Sequence, residues 1–215
     1  MRSPSWSNTQ PYRIAAASDG RRDRISQELV QLFDSALSAR DGGLLAKTRI
    51  LLTRRGMSDG DLKVPLTYPP DLQPRWQAVG SALCEKLGIG RGDFPARSAQ
   101  LLRNFDFCGA PTVIFISVHS GLREFFIIDA GVMLQTLMLS ATARGLGTCA
   151  QGALANSAGP VRRGFQVPVN SRLLCEWSIG YPSGHPVNRL ETKRASLDEI
   201  LLRPIVDSKN ESHTG

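Results

Sequence analysis

Apolar positions fall at helical spacing over 22–39, where Ile25, Leu29, Leu32, Phe33, Ala36 and Leu37 share one face. A short strand is expected just before it, at 12–17, and Asp41-Gly42-Gly43 is expected to end the helix. The helical pattern returns at 74–87, with Trp76, Val79, Leu83 and Leu87 on one stripe. Asp93 is placed to cap a further helix that runs to about Asn104, with Pro95 in its first turn. Gly109-Ala110-Pro111 breaks the pattern. The run 112–118 is β-branched, aromatic and apolar throughout, which predicts a central strand buried on both faces; 172–180 predicts a second. Between them, 126–144 is apolar nearly all round and predicts a long buried helix that stops at Gly145. Its own sheet and helices would cover it, or a partner subunit would. Short helices are expected at 161–165 and, capped by Ser196, at 197–202. The run 48–53 fits neither period, and 56–74 reads as loop. Helices and strands interleave without repeat or regular alternation. The expectation is one α+β domain over 3–203, followed by a polar tail over 204–215.

Composition narrows the function. The chain has 215 residues, 41% hydrophobic and 21% charged, ordinary values that exclude a collagen, a coiled coil or a wholly disordered chain. Its net charge of +7 points to nucleic acid, an anionic membrane or a phosphorylated cofactor. The arginines are spread along the whole chain with no basic helix, which argues against nucleic acid. No apolar run approaches the ~20 residues of a membrane helix, so no membrane partner is expected. Residues 1–13 are polar and do not resemble a secretory signal, so a cytoplasmic location is expected. Cys84, Cys108, Cys149 and Cys175 form no Cys-x-x-Cys pair and read first as small buried hydrophobes; the three histidines have no metal-ligand spacing. No Gly-x-Ser-x-Gly elbow, phosphate-binding P-loop or dinucleotide fingerprint is present.

Three segments carry a more specific signal. The loop Pro4-Ser5-Trp6-Ser7-Asn8-Thr9-Gln10-Pro11 gathers hydrogen-bonding side chains between two prolines, either to contact a ligand or to satisfy its own turns. The second segment is Asp129-Ala130-Gly131 with Leu134-Gln135, then Gly145-Leu146-Gly147-Thr148-Cys149-Ala150-Gln151-Gly152. Its glycines permit close backbone approach to a ligand, or simply stop a helix before an edge strand. The third is Gly180-Tyr181-Pro182, Pro186-Val187-Asn188 and Lys193-Arg194-Ala195-Ser196. Together, and in this order, they resemble the FMN-dependent nitroreductase family. The stretch from Leu87-Gly88-Ile89 to Gly109-Ala110-Pro111 is similar to a bacterial branch that reduces nitroaromatics.

The resemblance implies an obligate homodimer of α+β subunits, each a mostly antiparallel sheet flanked by helices, with FMN at the interface. It implies that Ser5, Trp6, Asn8 and Gln10 reach the flavin of the other subunit. Main chain at Cys149, Ala150, Gln151 and Gly152 would line the ring near N5, and Arg194 would hold the phosphate. NADH or NADPH would reduce the flavin, and a nitroaromatic, quinone or similar acceptor would reoxidise it in ping-pong order. No protein side chain need be catalytic, because the flavin carries the hydride. Trp6, Tyr68, Trp76 and Phe94 are candidates to stack on an aromatic substrate, although Trp76 reads more readily as core on its helix. The family's Arg-Arg-Ser-x-Arg helix, usual ahead of the Pro-Ser loop, has no match: Arg21-Arg22-Asp23-Arg24 comes after it. The alternative implied is an N-terminally shortened, non-catalytic or weakly flavin-binding relative.

Overall fold

The computed structural model describes residues 3–41, 58–62, 65, 67–122 and 124–202. Four strands form one antiparallel sheet: β1 (Tyr12–Ser18), β2 (Thr112–His119), β3 (Gly147–Gln151) and β4 (Ser171–Gly180), in the spatial order β1-β2-β4-β3. The helices are α1 (Asp19–Asp41), α2 (Gln73–Lys86), α3 (Phe94–Phe105), α4 (Phe125–Thr142), α5 (Gly159–Gly164) and α6 (Leu197–Ile200). The expected ambiguous run 48–53 and the polar tail lie outside the described residues.

The two apolar runs of the sequence become the two inner strands, β2 and β4, as their patterning predicts. One face of the sheet packs on α1, α3 and α5. Ile25 and Leu29 of α1 meet Phe105, Phe107, Val113, Phe115, Leu154, Val161 and Leu173 there, all nearly or fully buried. Each such side chain contributes roughly 1.5–3 kcal/mol of burial. Phe107 and Phe115 meet edge to face with centroids 5.9 Å apart. The other face packs on α4, where Val118, Phe126 and Ala130 form a smaller cluster. A bulge in β4 opposite Ile116 and Ser117 shifts the register by one residue, so that Leu173 and Glu176 both face the α1 side. At the sheet's end, a Cβ on Gly180 would lie 2.8 Å from Pro111 Cδ, which only glycine avoids.

Helix ends follow their local chemistry. Asp93 accepts from the Ala96 N–H at 3.0 Å with Pro95 in the first turn, as expected. Ser196 and Glu199 form a capping box that starts α6. Gly145, at φ +72°, closes the end of α4. Arg22 of α1 is held under the sheet's end: its guanidinium donates to Asp106 O at 2.7 Å and Asp106 Oδ1 at 3.0 Å, and its Nε to Ala110 O at 3.1 Å.

Three expectations are corrected. The helix α4 is not buried within the chain: Ile128 is 59% exposed and Leu139 62%, and Phe125, Ile127 and Val132 are exposed with them. The sheet covers one side of a cylinder that is apolar all round, and nothing described covers the other. By length and hydropathy alone, α4 also meets the criterion for a membrane span, against the expectation that none would. The stripe on α2 is likewise unburied, with Trp76 48% exposed and stacked on Tyr68 at 5.4 Å rather than in the core.

Glu176 is the most consequential buried group. It is fully buried on β4, and neither carboxyl oxygen makes a hydrogen bond. Burial pushes its pKa up to about 8, against the pull of the nearby Glu176 and Leu154 backbone groups. The native state therefore holds a proton that an unfolded glutamate near 4.5 has lost, and stability falls as pH rises through that window. Native stability should drop by on the order of a few kcal/mol between about pH 5 and pH 9. Glu176→Gln should flatten the decline, which thermal unfolding across that pH range measures directly.

Candidate active site

The 3–11 loop is anchored at one point. The Trp6 backbone N–H donates to Asp129 Oδ1 at 2.8 Å, and the Trp6 ring packs on Phe125 with centroids 4.7 Å apart. Asp129 is only 4% exposed, and its Oδ2 has no hydrogen-bond partner. Beyond that anchor the loop satisfies itself: Gln10 N donates to Ser5 Oγ at 3.0 Å, and Gln10 Nε2 to Asn8 Oδ1 at 3.0 Å. The self-satisfied turn set against a ligand role is thus formed. It is nonetheless strained, with left-handed φ at Ser7 (48°), Asn8 (54°) and Gln10 (45°), a conformation that costs energy for each non-glycine residue. Those three side chains are exposed, and the Ser5 hydroxyl keeps a proton to donate.

The second group lies on β3, an edge strand that pairs only with β4. Cys149 and Gln151 point to one face and Ala150 to the other, by strand alternation. Gln151 is buried in a polar network: Nε2 donates to Asn104 Oδ1 at 2.8 Å and to Cys108 Sγ at 3.6 Å, while Ser178 Oγ donates to Oε1 at 3.2 Å. With its side chain fixed, the main chain at Ala150 to Gly152 is held on the exposed rim of the sheet. A Cβ on Gly152 would meet nothing within 4 Å, so the space beside it is open. Arg194, the third group, is exposed. Its Nη1 donates to Thr192 O at 2.9 Å and to Thr192 Oγ1, and no carboxylate among the described residues pairs with it.

The loop and the β3 rim do not converge within one chain. The loop leads into β1 at one edge of the sheet, and β3 is the opposite edge, three strand spacings or ~14 Å away. The structure brings Gln151, Cys149, Asn104 and Cys108 together; it does not bring Ser5, Asn8 and Gln10 to them. The substrate candidates also scatter: Trp6 lies on α4, Tyr68 stacks on Trp76, and Phe94 is exposed at the start of α3. A cleft of about 150 Å³ between α1 and α5, lined by Arg21, Arg24, Glu28 and Arg163, shares no residue with the three motif segments.

The cysteines correct the composition reading, since none is fully buried and Cys108 and Cys149 are exposed. The Cys149 thiol beside Cys108 is the largest influence lowering the Cys108 pKa, to about 6, with Arg103 and the Gln151 amide helping and burial opposing. The same contact, burial and the Glu176 carboxyl all push Cys149 the other way. Cys175, on the opposite sheet face, is pushed up to about 12 by burial and Glu176. Sequence reasoning missed Glu176 and the partnership of Cys108 with Cys149. A lone acidic residue inside an apolar strand, and an Asp inside an apolar helix, were the available signals; nothing local marks two cysteines 41 positions apart as neighbours.

The comparisons with known proteins agree with this architecture. The Nitroreductase family model matches residues 1–181, and the chain belongs to that family. It is 31% identical over 200 residues to the nitroreductase NfnB of Mycolicibacterium smegmatis, covering 91% of this chain and 76% of that protein. It is 27% identical over 199 residues to a 4-nitrobenzoate reductase of a Nocardioides species, covering 92% and 74%. Among solved structures, it is similar to the FMN-dependent nitroreductase NfnB from Mycobacterium smegmatis in complex with NADPH. That match has a TM-score of 0.78 at 29% identity and covers 95% of this chain and 83% of that one.

With the Cys108 pKa lowered to about 6 by the neighbouring Cys149 thiol, Cys108 should alkylate with iodoacetamide at pH 7 before Cys84, Cys149 and Cys175, with half-maximal rate near pH 6. Peptide mass mapping over a pH series checks the order; reaction of Cys108 only above pH 8 would contradict it.

Proposed function

We propose that this chain is an FMN-dependent NAD(P)H oxidoreductase that reduces nitroaromatic, quinone or similar acceptors, working as a homodimer with flavin at the subunit interface. The observation that carries this reading is the placement of its motif residues on opposite edges of one sheet. Residues so separated can make a single site only if a second copy turns its loop toward the first copy's β3. The exposed apolar side of α4 suits that arrangement, since a second copy would remove it from water. NfnB and the other relatives are described as acting with FMN and NADPH or on nitroaromatics, and the family membership extends that reading here.

FMN, when bound, supplies the hydride chemistry, accepting from NAD(P)H and passing on to the acceptor. The chain's own residues bind and orient. The strained loop presents Ser5, Asn8 and Gln10 as hydrogen-bonding groups whose conformation is set before any ligand arrives. Trp6 fixes the loop to α4 through Asp129, and its exposed ring offers an aromatic surface. Along Cys149 to Gly152 the β3 edge turns every second main-chain N–H outward, and the rim, without side-chain obstruction at Gly152, suits the polar edge of a flavin. Arg194, without a carboxylate partner among the described residues, suits a phosphate dianion, to which a guanidinium can donate two bonds at once. A cytoplasmic location is part of the proposal, because NAD(P)H is held there.

The test is flavin binding and turnover by the full chain. Added FMN should give a bound flavin spectrum, and NAD(P)H oxidation should then depend on an acceptor such as 4-nitrobenzoate. Arg194→Ala should weaken FMN binding by about 10- to 100-fold, the worth of a charge-assisted hydrogen bond. A chain that stays colourless with FMN and oxidises no NAD(P)H would rule the proposal out.

A further inference from the structure

Four observations isolate one cluster outside the flavin-binding residues' own roles. Cys108 is exposed at the turn after α3, where Phe107 and Cys108 both hold left-handed φ of 53°. The turn is fixed from two sides: Arg22 holds Asp106 and Ala110, and Arg103 Nη2 donates to Cys108 O at 3.3 Å. The Gln151 amide donates to Cys108 Sγ at 3.6 Å, and Cys149, two residues earlier on the same face of β3, brings its exposed thiol to the same rim. Beneath both thiols lies Glu176, fully buried, without a hydrogen bond and close enough to feel each of them. Neither thiol is needed for flavin or nicotinamide binding as described above, where only the Cys149 main chain takes part.

We propose that Cys108 and Cys149 form a redox-active thiol pair that reduces an arylnitroso compound to the arylhydroxylamine and closes to a disulfide in doing so. The proposal rests on the function proposed above for the source of the compound, since two-electron reduction of a nitroaromatic yields a nitroso group at the same site. The Cys108 thiolate adds to the nitroso nitrogen, forming an S–N bond, and the oxygen takes a proton from water. Cys149 sulfur then attacks Cys108 sulfur. The S–S bond forms, the S–N bond breaks, and the nitrogen leaves with the proton of Cys149. Two sulfurs lose two electrons in all and the nitroso nitrogen gains them. An external thiol reopens the disulfide by exchange and carries those electrons.

The groups around the pair divide the labour between nucleophile and resolving thiol. Gln151 and Arg103 stabilise charge on Cys108, which helps hold the Cys149 proton; once the S–N bond caps Cys108 that charge is gone, and Cys149 passes its proton to the leaving nitrogen as its sulfur attacks. Glu176 stays protonated at neutral pH and so does not oppose a thiolate above it. Cys84 lies on α2 and Cys175 faces the opposite side of the sheet, so neither can substitute.

The full chain, with no nicotinamide added and under anaerobic conditions, is treated with nitrosobenzene. Intact mass should fall by the two thiol hydrogens, equimolar phenylhydroxylamine should appear, and a peptide linking Cys108 to Cys149 should be recovered. Cys149→Ser should stop at an adduct on Cys108 and release no hydroxylamine; Cys108→Ser should do neither. Both positions are exposed, and circular dichroism confirms that the variants are folded. No mass loss, or adducts spread evenly onto Cys84 and Cys175, would overturn the proposal. Reduction of nitroaromatics without disulfide formation sinks the thiol pair alone. Disulfide formation by a chain that binds no FMN sinks the proposed flavin function instead and leaves the thiol pair in place.

Discussion

The central pair of strands constrains everything else. β2 is apolar on both faces and most of β4 is buried with it, so the two lie inside the sheet with helices above and below. Once they occupy the middle, β1 and β3 can only be edges, and the polar motifs attached to them are driven apart. The same requirement sends α1, α3 and α5 to one face and leaves α4 to cover the other. One sheet face cannot cover a helix that is apolar all round, so half of α4 remains in water. An exposed apolar helix and a divided set of polar motifs are thus two consequences of one packing decision, and the proposed second subunit would resolve both.

The polar groups that remain inside are kept on particular terms. Gln151 satisfies both ends of its amide through Asn104 and Ser178, which makes burial tolerable and fixes the rim of β3. Asp129 uses one oxygen to pin the loop and leaves the other unpaired. Glu176 makes no hydrogen bond and avoids the cost of a buried charge by keeping its proton. Groups held this way are poor choices for stability. All three border the surfaces through which the chain would meet its ligands, where such costs commonly accumulate.

Much of this was legible in the sequence. The two inner strands, the cap at Asp93, the stop at Gly145 and the capping box at Ser196 each rest on local chemistry, and each stands where its residues placed it. The three motif segments, taken in order, were legible as a resemblance to the nitroreductase family, and the family model bears that membership out. What failed needed knowledge of neighbours. Hydrophobicity on every side of α4 states that it wants cover, but not whose. The apolar stripe on α2 is real, yet no sheet face was left for it. Cys108 and Cys149 read singly as small hydrophobes, and only the sheet edge and the turn after α3 bring the two thiols together. The missing buried acid, Glu176, sits in a strand whose other residues are the ordinary ones for a core.

The central claim is that a working site draws its loop from one chain and its β3 rim and Arg194 from another. Subunit complementation tests it most directly. Chains carrying Ser5→Ala with Asn8→Ala, and chains carrying Arg194→Ala, are each expected to turn over poorly with NAD(P)H and a nitroaromatic. Unfolded together and refolded as a mixture, half of the dimers are hybrids, each with one intact site and one doubly damaged site. The account predicts recovery of about a quarter of wild-type turnover from the statistics of a two-fold dimer. A mixture no more active than the average of its two parents would show that each site is built within a single chain, and would contradict the account.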